Sequence, residues 1–333
     1  MARRKQVIGI TMGDAAGIGP EICLKAVNHP AVKKVCHPVI IGDASILKHL
    51  APRWNLKVLS LTESFSPRKI AGPAVIDLKL VSPDQIKPGI SQACCGQAAF
   101  LYIKTAISLT SEGKLAAVVT APISKKSLHL AGINYPGHTE IFTKLTGAKK
   151  TCMMLASKTI TCSLVTTHTN LASVPGLLST RRILEVIELS AEALSRLKKR
   201  KPRLAICALN PHAGEEGLFG AEEERFIRPA VRIAQEKGIV IEGPWPADTA
   251  FIPERRKIID GYICLYHDQG LIPFKMLAFD TGVNITLGLP MVRTSVDHGT
   301  AFDIAWKGIA KAESLVTAIH YAVLLVESRT NQT

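Results

Sequence analysis

The sequence predicts an α/β fold built on a largely parallel sheet, and three observations carry that prediction. Short apolar, β-rich runs alternate with stretches of helical periodicity, the pattern written by strands joined through crossover helices. The first apolar run, Val7 to Met12, feeds a glycine loop and then a helix start, because Pro20 suits the first helical position and Glu21 the positive end of the helix dipole. Several apolar runs end abruptly in polar residues, and open α/β sheets place their chemistry at such strand exits.

The elements follow in order. Val35 to Ile41 reads as a strand, Ala44 to Leu50 as a helix and Ala74 to Leu80 as a strand. Ala93 to Ser111 is helical, and Leu115 to Thr120 is a strand that ends in a polar loop, Thr120 to Lys126. Tyr135 to Glu140 is a turn opening a helix. His138 and Thr139 therefore sit where backbone N–H groups attract anions, or act simply as caps. Thr151 to Ala156 and Thr161 to Thr166 form a hairpin that interrupts the βα rhythm and points to a second domain. Thr180 to Lys198 is a long helix, Arg203 to Leu209 a strand, and Ala221 to Lys237 a helix. Between Gly282 and Ala305 a strand gives way to a loop of small residues ahead of a helix. Arg293 beside that loop is either a surface arginine or a clamp for phosphate or carboxylate.

Composition narrows the function classes. The chain has 333 residues, enough for two domains or one large one, with 47% hydrophobic and 20% charged residues, an ordinary globular mix. Forty-one Lys and Arg against 27 Asp and Glu leave a net charge of +14, which favours anionic partners such as phosphorylated metabolites or dinucleotides. The dense basic run Arg196 to Arg203 closes an amphipathic helix and lacks interleaved aromatics, so no nucleic-acid partner is expected. None of the eight cysteines forms a C-x-x-C pair, and most lie in apolar runs, as expected in a reducing compartment. The charged N-terminus precedes an apolar run too short for a signal peptide, and the apolar tail Leu315 to Val326 is too short to span a bilayer. A cytoplasmic protein without membrane partners is the expectation.

One exit has an unusual set of groups. The apolar run Tyr262 to Tyr266 breaks into His267, Asp268, Gln269 and Gly270, with Lys275 eight residues after the histidine. By itself this is a capped loop with a satisfied histidine, or a metal ligand followed by an anion holder. Two other strand-like runs also end in histidine, at His168 and His212. Neutral imidazole is a common ligand for divalent metals, and three histidines with a position left for substrate is a catalytic arrangement. The spacings of 44 and 55 residues match no compact metal motif, so convergence is not readable from them. The Gly13 to Glu21 loop likewise departs from the G-x-G-x-x-G dinucleotide fingerprint.

Five stretches together are similar to the 4-hydroxythreonine-4-phosphate dehydrogenase family of vitamin B6 biosynthesis. They are Gly13-Asp14 with Gly17 to Glu21, Gly137 to Glu140, Leu209 to Gly214, Tyr266 to Gly270, and Gly282 through Asp303. The resemblance covers essentially the whole chain. It implies a two-domain fold of the isocitrate and isopropylmalate dehydrogenase kind, with the active site in a cleft. It implies a homodimer whose sites are each completed across the interface. The metal ligands would be His168, His212 and His267, holding one divalent ion (zinc, magnesium or cobalt). Substrate contacts would fall on His138, Thr139, Lys275, Asn284 and Arg293. NAD or NADP would lie near Gly13 and Gly17 and be wrapped by the loop carrying His298, Gly299, Thr300 and Asp303. The expected domains are residues 1–134 plus 285–333, with the nucleotide loops, and 135–284, with the metal histidines and dimer contacts.

The implied reaction is metal-dependent, NAD(P)-linked oxidation of 4-phosphooxy-L-threonine at C3. Decarboxylation then gives 3-amino-2-oxopropyl phosphate. Asp248 and Asp268 are candidate bases by residue type, and either could instead orient a metal histidine. Two rival readings stand beside this one: a same-family dehydrogenase for 4-phospho-threonate or -erythronate or for a cis-dihydrodiol carboxylate, and a non-catalytic phosphometabolite-binding protein. Two positions depart from the family pattern. Ala15 stands where proline is expected, and Trp306 stands where glycine is common after Asp-Ile-Ala.

Overall fold

The computed structural model describes residues 5–54, 56–61, 66 and 70–329. Residues 1–4 of the charged N-terminus lie outside the described residues. Residues up to Lys149 join Leu289–Glu327 in one compact unit, and Lys150–Gly288 form the other.

The first unit opens with strand β1 (Gln6–Thr11), helices α1 (Gly19–Asn28) and α2 (Pro30–Val35), strand β2 (Cys36–Gly42) and helix α3 (Ala44–Leu50). Strands β3 (Lys57–Leu59) and β4 (Ala74–Asp77), helix α4 (Ala93–Ser111), strand β5 (Ala117–Thr120) and helices α5 (Lys125–Leu130) and α6 (His138–Thr146) follow. The chain returns to this unit with the strand Val292–Val296, β12 in chain order, and the helix Glu313–Arg329, α13. The strands lie in the order β3-β4-β2-β1-β5-β12 and every pair is parallel. A parallel sheet covered on both faces needs near-continuous apolar runs. Ile8, Ile10, Val39, Ile40 and Ile41 meet that need, each fully buried and contributing about 2 kcal/mol of burial free energy.

The second unit contains β6 (Cys152–Ala156), β7 (Thr161–Leu164), α7 (Val174–Leu177), α8 (Thr180–Lys198), β8 (Arg203–Cys207), α9 (Arg228–Glu236) and β9 (Val240–Trp245). The one-turn helices α10 (Ala247–Ala250) and α11 (Pro253–Arg256), strand β10 (Gly261–Cys264), helix α12 (His267–Ala278) and strand β11 (Val283–Leu287) complete it. The strand order is β11-β6-β7-β10-β8-β9. The hairpin expected at residues 151–166 is present as antiparallel β6 and β7, β11 is antiparallel to β6, and β7, β10, β8 and β9 run parallel. Leu155, Leu164, Ala205, Tyr262 and Phe274 pack in one buried cluster beneath them.

Three elements differ from the sequence reading. The polar loop expected after β5 contains α5, because the Ser124 side chain accepts the Ser127 N–H at 3.1 Å as an N-cap and Leu128 is buried. The strand expected to reach Leu80 stops at Asp77, where Lys79 turns to φ +52° and its N–H bonds back to Asp77 Oδ1 at 3.3 Å. The loop expected from His267 to Lys275 is α12, which carries Pro273 inside it and buries Phe274 and Ala278 at helical spacing. Among the described residues no helix is long and apolar enough to cross a membrane.

Helix α5 reaches its place through one glycine. A Cβ on Gly96 of α4 would lie 2.0 Å from the Ser127 carbonyl oxygen. Overpacking at such backbone contact costs about 1–3 kcal/mol, so Gly96→Ala should lower the thermal midpoint by several degrees. An unchanged midpoint in a calorimetric scan refutes this account of the α4–α5 contact.

Candidate active site

In the first unit, α6 begins at His138 after an extended Gly137 that provides no side-chain cap, so its first-turn N–H groups are left for an external acceptor. Thr139 lies in the same turn. From β12, Arg293 is 2% exposed, donates from Nη2 to Thr120 Oγ1 at 2.7 Å, and stands 5.5 Å from the Phe142 ring of α6. Desolvation lowers its pKa to about 9, with the Glu140 carboxylate acting the other way. His138 is half-buried as a residue, but its Nε2 is enclosed and meets no partner among the described residues. Burial first, and the Arg293 charge second, hold its pKa well below the usual histidine value. A neutral imidazole, a buried guanidinium and an open helix N-terminus thus face one location, a combination that suits phosphate or carboxylate.

The glycine loops of the first unit also close on one another. Gly13 has φ +76°, and a Cβ there would lie 2.3 Å from the Pro122 carbonyl oxygen, so only glycine fits. Asp14 donates its N–H to Pro122 O at 2.9 Å and accepts the Ala16 N–H at 2.9 Å through Oδ1. Its carboxyl is fully buried, and desolvation raises its pKa against the opposing effects of Ser127 and the Ala16 N–H. Ile18 donates to Thr300 O at 3.0 Å, and a Cβ on Gly17 would lie 2.9 Å from that oxygen. His298 Nδ1 lies 3.1 Å from Gly299 O, and Asp303 is exposed on the turn Phe302–Ile304.

The two unusual positions are bonded to each other: Trp306 Nε1 donates to Ala15 O at 2.9 Å. Trp306 has φ +63°, a conformation open to glycine that costs other residues about 1–2 kcal/mol. The hydrogen bond, and packing of the indole 5.5 Å from the His49 ring, offset that strain.

In the second unit, β7, β10 and β8 are parallel neighbours, so Leu164, Cys264 and Cys207 end at the same edge of the sheet. His168, His267 and His212 follow those three ends. Cross-ties align them. Thr166 donates from N and Oγ1 to Leu265 O at 3.2 and 2.7 Å. Buried Gln269 accepts the Leu265 N–H at 2.7 Å and donates to Ala208 O at 2.7 Å. The His168 and His267 rings are 5.5 Å apart. His267 Nδ1 lies 2.7 Å from Asp268 Oδ1, leaving Nε2 for a ligand.

His212 is exposed, beside the Phe219 ring at 6.2 Å, and opens a left-handed run through Glu216 with φ from +42° to +85°. Four of those five residues are not glycine, at about 1–2 kcal/mol each. Among the described residues no group of three or more His, Cys, Asp or Glu stands close enough to hold a metal ion. The donor types fit a divalent ion nonetheless: two adjacent imidazoles, one oriented by a carboxylate, with a third at the next strand end.

Lys275 lies on α12 with Nζ 5.1 Å from the Phe279 ring. Asn284 lies on β11, its Oδ1 enclosed without a partner among the described residues. Exposed Asp248, on α10, and Asp268 line a groove of about 500 Å³ together with Tyr266, Ile272 and Met276. The sequence reading assigned no role to Thr166, Gln269 or Glu223. Gln269 lies inside the stretch around His267, and its side-chain chemistry was the available signal. Glu223 has no local signal, since its partners are 13 and 14 residues away.

With this geometry in hand, comparison with known proteins is direct. The sequence profile described as "Pyridoxal phosphate biosynthetic protein PdxA" matches residues 34–322. A 4-hydroxythreonine-4-phosphate dehydrogenase of Desulfosudis oleivorans is 44% identical over 96% of each chain. A D-threonate 4-phosphate dehydrogenase of Cupriavidus necator is 43% identical over 97% of this chain and 98% of that one. The crystal structure of 4-hydroxythreonine-4-phosphate dehydrogenase from Klebsiella pneumoniae superposes with a TM-score of 0.86 at 41% identity, covering 98% of this chain and 99% of that one. The α/β fold is shared with these enzymes and, at 14% identity and a TM-score of 0.50, with a beta-decarboxylating dehydrogenase from Thermococcus kodakarensis. By profile, identity and fold, the chain belongs to the PdxA family of pyridoxal phosphate biosynthetic proteins.

Proposed function

We propose that this PdxA-family oxidoreductase, acting on a CH–OH group, oxidises 4-phosphooxy-L-threonine at C3 with NAD or NADP in vitamin B6 biosynthesis. The observation that carries the reading is the set of imidazoles at three adjacent parallel strand ends, His168, His267 and His212. A divalent ion held by His168, His212 and His267 would supply Lewis acidity, and NAD or NADP would supply the hydride acceptor. Arg293 and the first turn of α6 hold the anionic end of the substrate, and His138, kept neutral, donates or accepts a hydrogen bond there. Lys275 and Asn284 add a cation and an amide to substrate binding. Asp268 lies on His267 Nδ1 and can orient it, and Asp248 and Asp268, on one groove, are the candidate carboxylates to take the C3 hydroxyl proton. Loss of the C1 carboxylate as CO2 then leaves an enolate, and protonation at C2 gives 3-amino-2-oxopropyl phosphate.

A second substrate reading has its own support. Relatives of nearly equal similarity are named for D-threonate 4-phosphate, which carries hydroxyl in place of amine at C2. Both substrates present a phosphate to the Arg293 and α6 site. The discriminating experiment follows NAD(P)H formation with both compounds and added divalent metal. Reduction with neither overturns the enzyme assignment to this substrate class and brings a metabolite-binding role forward. In the same assay His212→Ala should abolish turnover and weaken metal binding while the far-ultraviolet circular dichroism stays native. Normal activity of that variant in metal-free buffer sinks the metal role.

Removing the anion-holding cation should act mainly on binding. Arg293→Ala and Lys275→Ala are each expected to raise KM for the phosphorylated substrate on the order of tenfold or more, with a smaller effect on kcat. An unchanged KM in both removes the clamp assignment.

A homodimer is the proposed assembly, with partner groups adding to each site. It is supported by the apolar residues on one face of the second unit: Ile252, Ile272, Met276 and Phe279 are 39%, 58%, 82% and 71% exposed. The first three line the same groove as Asp248 and Asp268. Light scattering should return twice the chain mass, and Met276→Glu should shift it towards the monomer. A monomeric mass for the unmodified protein refutes the assembly.

A further inference from the structure

We infer that Glu223 is a positioning residue that holds His212 in its ligand-presenting turn. This rests on the reading of His212 as a metal ligand given above. The left-handed run from His212 to Glu216 is not held by backbone propensity, so something outside the run must fix where it begins and ends. Glu223 does so from the far side. Its side chain is 1% exposed, and Oε1 accepts the Leu209 and Asn210 N–H groups, both at 2.8 Å. Oε2 accepts from Asn210 Nδ2 at 2.9 Å, and Asn210 Nδ2 also donates to Glu222 Oε2 at 2.8 Å.

Leu209 and Asn210, three and two residues ahead of His212, are therefore pinned by one buried carboxylate. The same carboxylate shapes the run itself. A Cβ on Gly214 would lie 2.9 Å from Glu223 Oε2, and a Cβ on Gly220 would lie 2.5 Å from Asn210 Nδ2. Glycine is needed at both positions because the clamp occupies the space. Glu223 also begins a π-helical turn, Glu223–Ile227, ahead of α9. Such turns are frequent at functional sites.

Glu223→Gln tests the inference. The amide sets a donor against either the backbone N–H pair or Asn210 Nδ2, so one side of the clamp is lost whichever way it turns. Metal-free full-length protein is titrated with Co2+, read by its visible ligand-field absorption, alongside the thermal midpoint without metal. Glu223→Gln should weaken Co2+ binding on the order of 10–100-fold and give the same altered band shape as His212→Ala, with the midpoint near that of the unmodified protein. Asn210→Ala, which keeps the backbone bonds, should weaken binding by a smaller factor. If Glu223→Gln does not fold, Asn210→Ala decides. Unmodified Co2+ affinity and band shape in the folded clamp variants, with weakened binding in His212→Ala, overturns the role of Glu223 alone. Unmodified affinity in His212→Ala overturns the ligand reading beneath it.

Discussion

Gln269 reaches from the first turn of α12 to two strands at once. Its Oε1 takes the Leu265 N–H beyond β10, and its Nε2 gives to the Ala208 carbonyl beyond β8. Thr166 makes the matching tie from β7 to Leu265. A parallel ladder stops supplying hydrogen bonds where its strands end, and buried backbone groups just past that point must find other partners. These two side chains supply them. They also fix the relative height of three strand exits, each of which leads within a few residues to a histidine. The contact of the His168 and His267 rings depends on that alignment, since a rise of about 3.3 Å per residue means a one-residue slip would separate them.

The first unit solves a different problem. It buries a guanidinium and keeps a neighbouring imidazole neutral, both by withdrawing them from water. Neither state is favourable in the free protein. Both make sense as preparation for an anion at the α6 N-terminus, where oriented N–H groups already point outward. Trp306 shows how a strained backbone position in this unit is held. A bulky residue sits at a backbone conformation suited to glycine, and the indole recovers part of the cost by bonding to the loop that carries Gly13 and Gly17.

Local elements were legible wherever side-chain periodicity was strong. Ala44–Leu50, Ala93–Ser111 and Thr180–Lys198 are helices over the expected spans, and the 151–166 hairpin is present. Helix α12 was hidden because Pro273 and Gly270 both argue against a helix, and packing of Phe274 overrides them. Helix α5 was hidden by its short length. The candidate histidines were each visible as strand exits. The pairing of His168 with His267 was not, because strand order is a non-local property and β10, late in sequence, inserts between β7 and β8. The left-handed turn at His212 was beyond reach for the same reason: Glu223, which holds it, comes after the turn and leaves no periodic trace.

The buried Arg293 has a consequence for the lifetime of the protein. A ligand that binds only the folded chain adds RT ln(1 + [L]/Kd) to its stability, about 2.7 kcal/mol at a hundred times Kd. An anion bound there, as proposed, would also restore charge balance around a desolvated guanidinium. On the proposed reading, occupancy by a phosphorylated metabolite would therefore lower how often the chain opens to proteases.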